Sequence, residues 1–112
     1  MLQDAKLTQD MKIRIFDNSL EKFIKLLEEE TVAKVLRAID LLELFGHNLK
    51  LPHSRRIKKN LFELRTRGNQ EIRIFYMFRN SEIVLLHGFI KKSQKIPRKE
   101  ISNAIQKMKT LD

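Results

Sequence analysis

Cysteine is absent from the 112 residues, which excludes disulfides and thiolate metal sites and is consistent with a reducing cytosol. The three histidines, His47, His53 and His87, show neither the i, i+4 nor the short-loop spacing that chelates zinc, so no metal or other cofactor is expected. No apolar run approaches the ~20 residues needed to cross a bilayer, and a start carrying Asp4 and Asp10 has no signal-peptide profile. A soluble, cytoplasmic protein without a membrane partner is expected. No repeat, low-complexity run or linker divides the chain, and its length suits one domain, 1–112, around one core.

What is abundant is positive charge, and it is unevenly spread. Lys and Arg number 23 against 14 acids, a net charge of +9. Met1 to Phe45 holds seven bases and nine acids, whereas Gly46 to Asp112 holds sixteen bases and five acids. Basicity of this size points to a polyanionic partner, and the second half should build the surface that meets it.

Met1 to Asp10 is polar and aperiodic, a frayed lead-in. Ile13 and Ile15 alternate with Lys12 and Arg14, so Met11 to Phe16 reads as a first strand. Asn18 with Glu21 has capping-box spacing, and Leu20, Phe23, Ile24 and Leu27 then follow as a first amphipathic helix. Glu28 to Thr31 either continues that helix or begins another. From there Val32, Val35, Leu36, Ile39, Leu42 and Phe45 form a helical stripe that Gly46 ends, and both stripes should pack on a sheet.

Gly46 to Asn60 reads as a loop. It carries Lys50, Arg55, Arg56, Lys58 and Lys59, cations that either stay solvated or face an anion. Three strands follow, at about Asn60 to Arg67, Glu71 to Arg79 and Glu82 to Phe89, and Asn80-Ser81 suits a tight two-residue hairpin. That turn pairs Arg79 with Glu82, Arg73 with Gly88 and Ile74 with His87. A three-residue loop at Gly68 to Gln70 would set Arg65 directly across from Arg73, whereas an odd-sum register would part them.

Opposed like charges destabilise a sheet. Arg65 and Arg73 therefore either hold an anion, with Gly88 leaving room for it, or Arg65 pairs with Glu63 or Glu71 as plain surface. By period two, Phe62, Leu64, Ile72, Ile74, Tyr76, Phe78, Ile83, Leu85, His87 and Phe89 share the helix-facing side. Tyr76 and His87 are thus expected in the core. Leu61, Glu63, Arg65, Arg73, Phe75, Met77, Val84, Leu86 and Gly88 form the mixed side, the candidate working surface.

Lys91, Lys92, Lys95, Arg98 and Lys99 precede a last helix opened by Pro97, with Ile101, Ala104, Ile105 and Met108 as its stripe. Lysines at a helix start suit a bound phosphate or a solvated cap. Cations on one side of a sheet, with no Ser-His-Asp set or Walker-type loop, can still cleave RNA, because its 2′-hydroxyl supplies the nucleophile.

The spacing LFELR, RIFY, LLHGF, KK, QK and P, with a helix after the proline, resembles the HigB-like branch of the RelE/ParE toxin superfamily, over roughly Lys12 to Met108. The resemblance implies an α+β fold: an N-terminal strand and a three-stranded meander in a small antiparallel sheet, two N-terminal helices and a C-terminal helix. It implies a single toxin domain of a type II toxin–antitoxin module, a metal-independent endoribonuclease that cuts messenger RNA on the ribosome. Its partners would be the ribosome, the message and a HigA-like helix-turn-helix antitoxin. Matched residue by residue, Arg73 would stabilise the transition state, Arg65 position the phosphate and Lys92 contact it or move a proton. Arg55, Arg56, Lys58, Lys59, Lys91, Lys95 and Arg98 would bind the RNA backbone. Leu61 and Glu63 stand where RelE-type toxins have lysines, and no tyrosine follows Tyr76, so the general acid and base stay unassigned. The alternative is a ParE-like DNA gyrase inhibitor that cuts nothing.

Overall fold

Alternating apolar residues from Leu61 onward dictate strands, and apolar residues three and four apart before Gly46 dictate helices. In the computed structural model, which describes residues 11–111, the order is β1 (Lys12–Ile15), α1 (Asn18–Lys25), α2 (Glu29–Phe45), β2 (Ser54–Lys58), β3 (Leu61–Thr66), β4 (Ile72–Arg79), β5 (Glu82–Ile90) and α3 (Arg98–Lys109). The fold is α+β. One five-stranded sheet runs β1-β5-β4-β3-β2, antiparallel except where β1 lies parallel to β5. The frayed lead-in expected for residues 1–10 lies outside the described residues.

Asp17, rather than Asn18, caps α1: its carboxylate accepts from the Leu20 N–H at 3.3 Å. A second helix then starts at Glu29, so the acidic stretch begins an element instead of prolonging one. Gly46 ends α2 at φ 50°, a conformation that costs glycine little. The buried row of α2 is Thr31, Val35, Ala38 and Leu42. Leu36 lies ~100° round the helix from Val35, and with Phe45 it is half-exposed, contrary to the expected stripe.

Two further expectations are corrected. Ser54–Lys58 is a strand, not loop: Ser54, Arg55 and Arg56 stand opposite Leu64, Glu63 and Phe62, with a bulge before Lys58. Its cations are those of an edge strand, where charge discourages pairing with another chain. The second correction lies in β5. Asn80, at φ 58°, makes the tight turn, and Arg79 to Tyr76 pair with Glu82 to Leu85 as expected. Leu86 is then an extra residue, a bulge that shifts the remaining pairs by one, so Phe75 meets His87, Ile74 meets Gly88 and Arg73 meets Phe89. Lys107 Nζ donates to the Leu86 carbonyl at 2.9 Å.

The bulge moves His87 and Phe89 to the opposite side of the sheet from the one alternation assigns them. Gly88 moves the other way: a Cβ there would sit 2.8 Å from the Phe23 ring, so its missing side chain admits α1 rather than an anion. One face carries Leu64, Ile72, Ile74, Tyr76, Ile83 and Leu85 under α1 and α2. The other carries Leu61, Phe75, Met77, Val84, Leu86 and Phe89 under Ala104 and its neighbours on α3. Tyr76 is in the core as expected, its hydroxyl hydrogen-bonded to Ser54 Oγ, and burial raises its pKa against that bond. His87 is instead half-buried beneath α3, its Nε2 2.6 Å from Glu100 Oε1. Among the described residues α3 covers much of the mixed face and leaves the end near Arg65 and Arg73 open.

Candidate anion-binding cleft

Adjacent antiparallel strands place residues of matching parity on one face, and the short β3–β4 connection sets their register. Arg65 stands opposite Arg73, and Glu63 stands between Arg55 on β2 and Phe75 on β4. Three arginines from three neighbouring strands thus surround one carboxylate. Glu63 is fully buried, with Oε2 3.3 Å from Arg73 Nε, and Oε1 3.3 Å from Arg55 Nη2 and 4.0 Å from Arg65 Nε. These are charge contacts without hydrogen-bond alignment: both Glu63 oxygens and the Nε atoms of Arg65 and Arg73 lack an aligned partner.

Opposed arginines are tolerable because that carboxylate lies between them. Arg73 is almost fully buried, and its Nη1 also meets Glu71 Oε1 and the Ile72 carbonyl, each at 3.2 Å. Arg65 is more open and less compensated. Burial first, then the charge of Arg73, pull its pKa below the usual value against the upward pull of Glu63; Arg67 and Arg55 add to the lowering. The guanidinium stays charged, as arginines in proteins do. Its inward Nε leaves the terminal nitrogens, which have no ion pair or hydrogen bond among the described residues, for a ligand.

Above this network lies an open cleft of about 640 Å³ lined by Arg65, Arg67, Glu71, Arg73, Lys91, Lys92, Ser93 and Gln94. The loop after β5 forms its far wall. The Lys91 N–H donates to the Glu71 carbonyl at 2.7 Å, and Lys91 Nζ folds the loop by donating to the Gln94 carbonyl at 2.9 Å and to that of Ser93. Lys92 is exposed and makes no ion pair or hydrogen bond among the described residues.

Of the residues singled out from the sequence, the cleft gathers Arg65, Arg73, Lys91 and Lys92. Arg55 touches the network from behind, and with Arg56 it lines a separate hollow beside His47 and Lys50. Arg56 donates to the Lys59 carbonyl at 2.7 Å, and Lys58, Lys59, Lys95 and Arg98 do not line the cleft. Sequence reasoning missed Arg67, Ser93 and Gln94 and the part played by Glu63. Arg67 was legible in principle, two residues beyond Arg65 in a strand expected to reach it, although β3 ends at Thr66. Among the described residues, no three acids or histidines are grouped to hold a metal ion, and no helix is long and apolar enough to cross a membrane. The arrangement can bind an anion and stabilise negative charge.

Fold and site together define a small α+β protein whose sheet ends in a basic cleft braced by a buried carboxylate. The chain belongs to the family described as Phage derived protein Gp49-like (DUF891), whose model matches residues 22–109. That span includes every residue of the cleft. No match was found among curated proteins.

Proposed function

We propose that this chain is the toxin of a type II toxin–antitoxin module, similar to HigB-like members of the RelE/ParE superfamily, and that it cuts messenger RNA on the ribosome without a metal. The observation that carries this reading is the convergence of Arg65, Arg67, Arg73, Lys91 and Lys92 on one cleft. In the reaction a ribose 2′-hydroxyl gives up its proton to water as its oxygen attacks the adjacent phosphorus, the bond to the 5′-oxygen breaks, and that oxygen takes a proton. The products are a 2′,3′-cyclic phosphate and a 5′-hydroxyl end.

The terminal nitrogens of Arg65 stabilise the charge gathering on the phosphorane. Lys92 contacts the phosphate or protonates the leaving oxygen. Arg73, buried between Glu63 and Glu71, acts mainly through Arg65 as a positioning residue, a lesser part than its place in the RIFY motif suggests. A HigA-like antitoxin would cover the same basic cleft, and the ribosome would hold the message in a cleavable shape.

The test is mapping of cellular RNA 5′ ends soon after induction of the wild type, Arg65→Ala and Lys92→Ala. New 5′-hydroxyl ends inside translated frames, lost in both variants, are expected. Growth arrest with no new RNA ends would overturn the nuclease reading, and accompanying DNA damage would favour a ParE-like gyrase inhibitor.

A further inference from the structure

Glu71 is the one carboxylate in the lining of a cleft otherwise built from cations and neutral polar groups, and its pairing with Arg73 engages only one of its two oxygens. The other acids described after residue 46 are accounted for: Glu63 lies buried among arginines, Glu82 pairs with Arg14 at 3.6 Å and Glu100 meets His87 at 2.6 Å. Glu71 is held differently. Its carbonyl is fixed by the Lys91 N–H at 2.7 Å, and its Oε1 sits 3.2 Å from Arg73 Nη1. Its side chain is nevertheless 38% exposed, and Oε2 has no hydrogen bond or ion pair among the described residues. Glu71 lines the cleft, so one of its acceptor oxygens stays uncommitted there while the other pairs with Arg73.

Such an acceptor repels a bare phosphate and rewards a ligand that presents a hydroxyl donor beside its phosphate. RNA presents one at every nucleotide and DNA does not. A 2′-oxygen poised next to its phosphorus lies ~3–3.5 Å away, so a phosphate held by Arg65 and Lys92 brings that hydroxyl within reach of the carboxylate. We propose that Glu71 is the residue by which this cleft selects RNA over DNA, accepting a hydrogen bond from the 2′-hydroxyl beside the bound phosphate. This rests on the reading of the cleft as a nucleic-acid site.

The experiment is fluorescence anisotropy at low salt with one labelled single-stranded sequence made as RNA, as DNA and as 2′-fluoro RNA, which keeps the ribose pucker and lacks the donor. The wild type is expected to bind RNA about tenfold more tightly than either analogue, the scale of a hydrogen bond to a charged group. In Glu71→Ala the three probes should fall within about twofold of one another, chiefly because DNA and 2′-fluoro RNA bind more tightly once the repulsion is gone. The 2′-fluoro probe tests the contact on the wild type alone, whatever the variant's folding. Equal wild-type affinity for RNA and 2′-fluoro RNA, or a preference unchanged in Glu71→Ala, would overturn the assignment while leaving nucleic-acid binding in place. If no probe binds the wild type, or Arg65→Ala binds all three as the wild type does, the nucleic-acid reading itself fails with it.

Discussion

The two faces of the sheet start from the same alternation of side chains and end in different physics. Under α1 and α2 the face is dry: Leu64, Ile72, Ile74, Ile83 and Leu85 meet Leu20, Val35 and Leu42. The Tyr76 hydroxyl there is satisfied by Ser54 Oγ. Under α3 the face is split between an apolar half around Phe75, Val84 and Leu86 and a charged end around Glu63. The first face is a matter of packing, the second of how much charge a sheet can hold at one end of its inner strands. A buried carboxylate lets three arginines share one place, and two of them, Arg65 and Arg73, line the cleft beside it.

The comparison breaks most easily at Glu63. Glu63→Ala strands a buried Arg73 without its main counter-charge, and loss of one partner of a buried pair costs about 3–5 kcal/mol. Urea unfolding should show that loss. Arg65→Ala, at the more exposed member of the same network, should cost far less. On the dry face Leu42→Ala removes a fully buried side chain and should cost about 2–5 kcal/mol. The folded fraction of that variant should still bind RNA like the wild type, since the charged end is intact.

A smaller effect sharpens how α3 is held to the rest. Asp17 caps α1, accepts from Ser19 Oγ at 2.7 Å and meets Lys107 of α3 at 3.1 Å. Burial pushes its carboxyl up, but the hydrogen bonds from Ser19, Lys107 and the Leu20 N–H, with the charge of Lys107, hold it below the ordinary value of 3.8. A carboxylate with a lowered folded pKa stabilises fully above its unfolded value, and that stabilisation is lost as pH falls through the folded one. Asp17→Asn keeps a capping oxygen and deletes the charge. Its melting temperature should therefore trail the wild type at neutral pH, and the gap should close below about pH 4.

Much of this was legible from residues alone. The register of Arg65 against Arg73 was one of two that the turn left open, the end of α2 followed from Gly46, and of the loop lysines Lys91 and Lys92, but not Lys95, line the cleft. What escaped had physical reasons. The bulge at Leu86 inserts one residue into a run, LLHGF, in which either face could accept the apolar side chains, so alternation carried no mark of it. β2 was hidden because five cations in ten residues look solvated, and an edge strand needs only one side satisfied. Glu63 was assigned to the right face, but a lone glutamate among leucines does not announce three arginine partners drawn from three strands. The covering of the mixed face by α3 depends on long-range packing that short-range periodicity does not encode.

The most direct test compares the cleft with the cationic edge of β2, through RNA affinity and its salt dependence in Arg65→Ala and Arg56→Ala. Loss of one phosphate contact lowers the salt slope by about one. Arg65→Ala should bind about tenfold or more weakly with that reduced slope, and Arg56→Ala should stay within about twofold of the wild type with the slope unchanged. An Arg56→Ala variant that loses as much affinity as Arg65→Ala would contradict the account and move the working surface to the β2 edge.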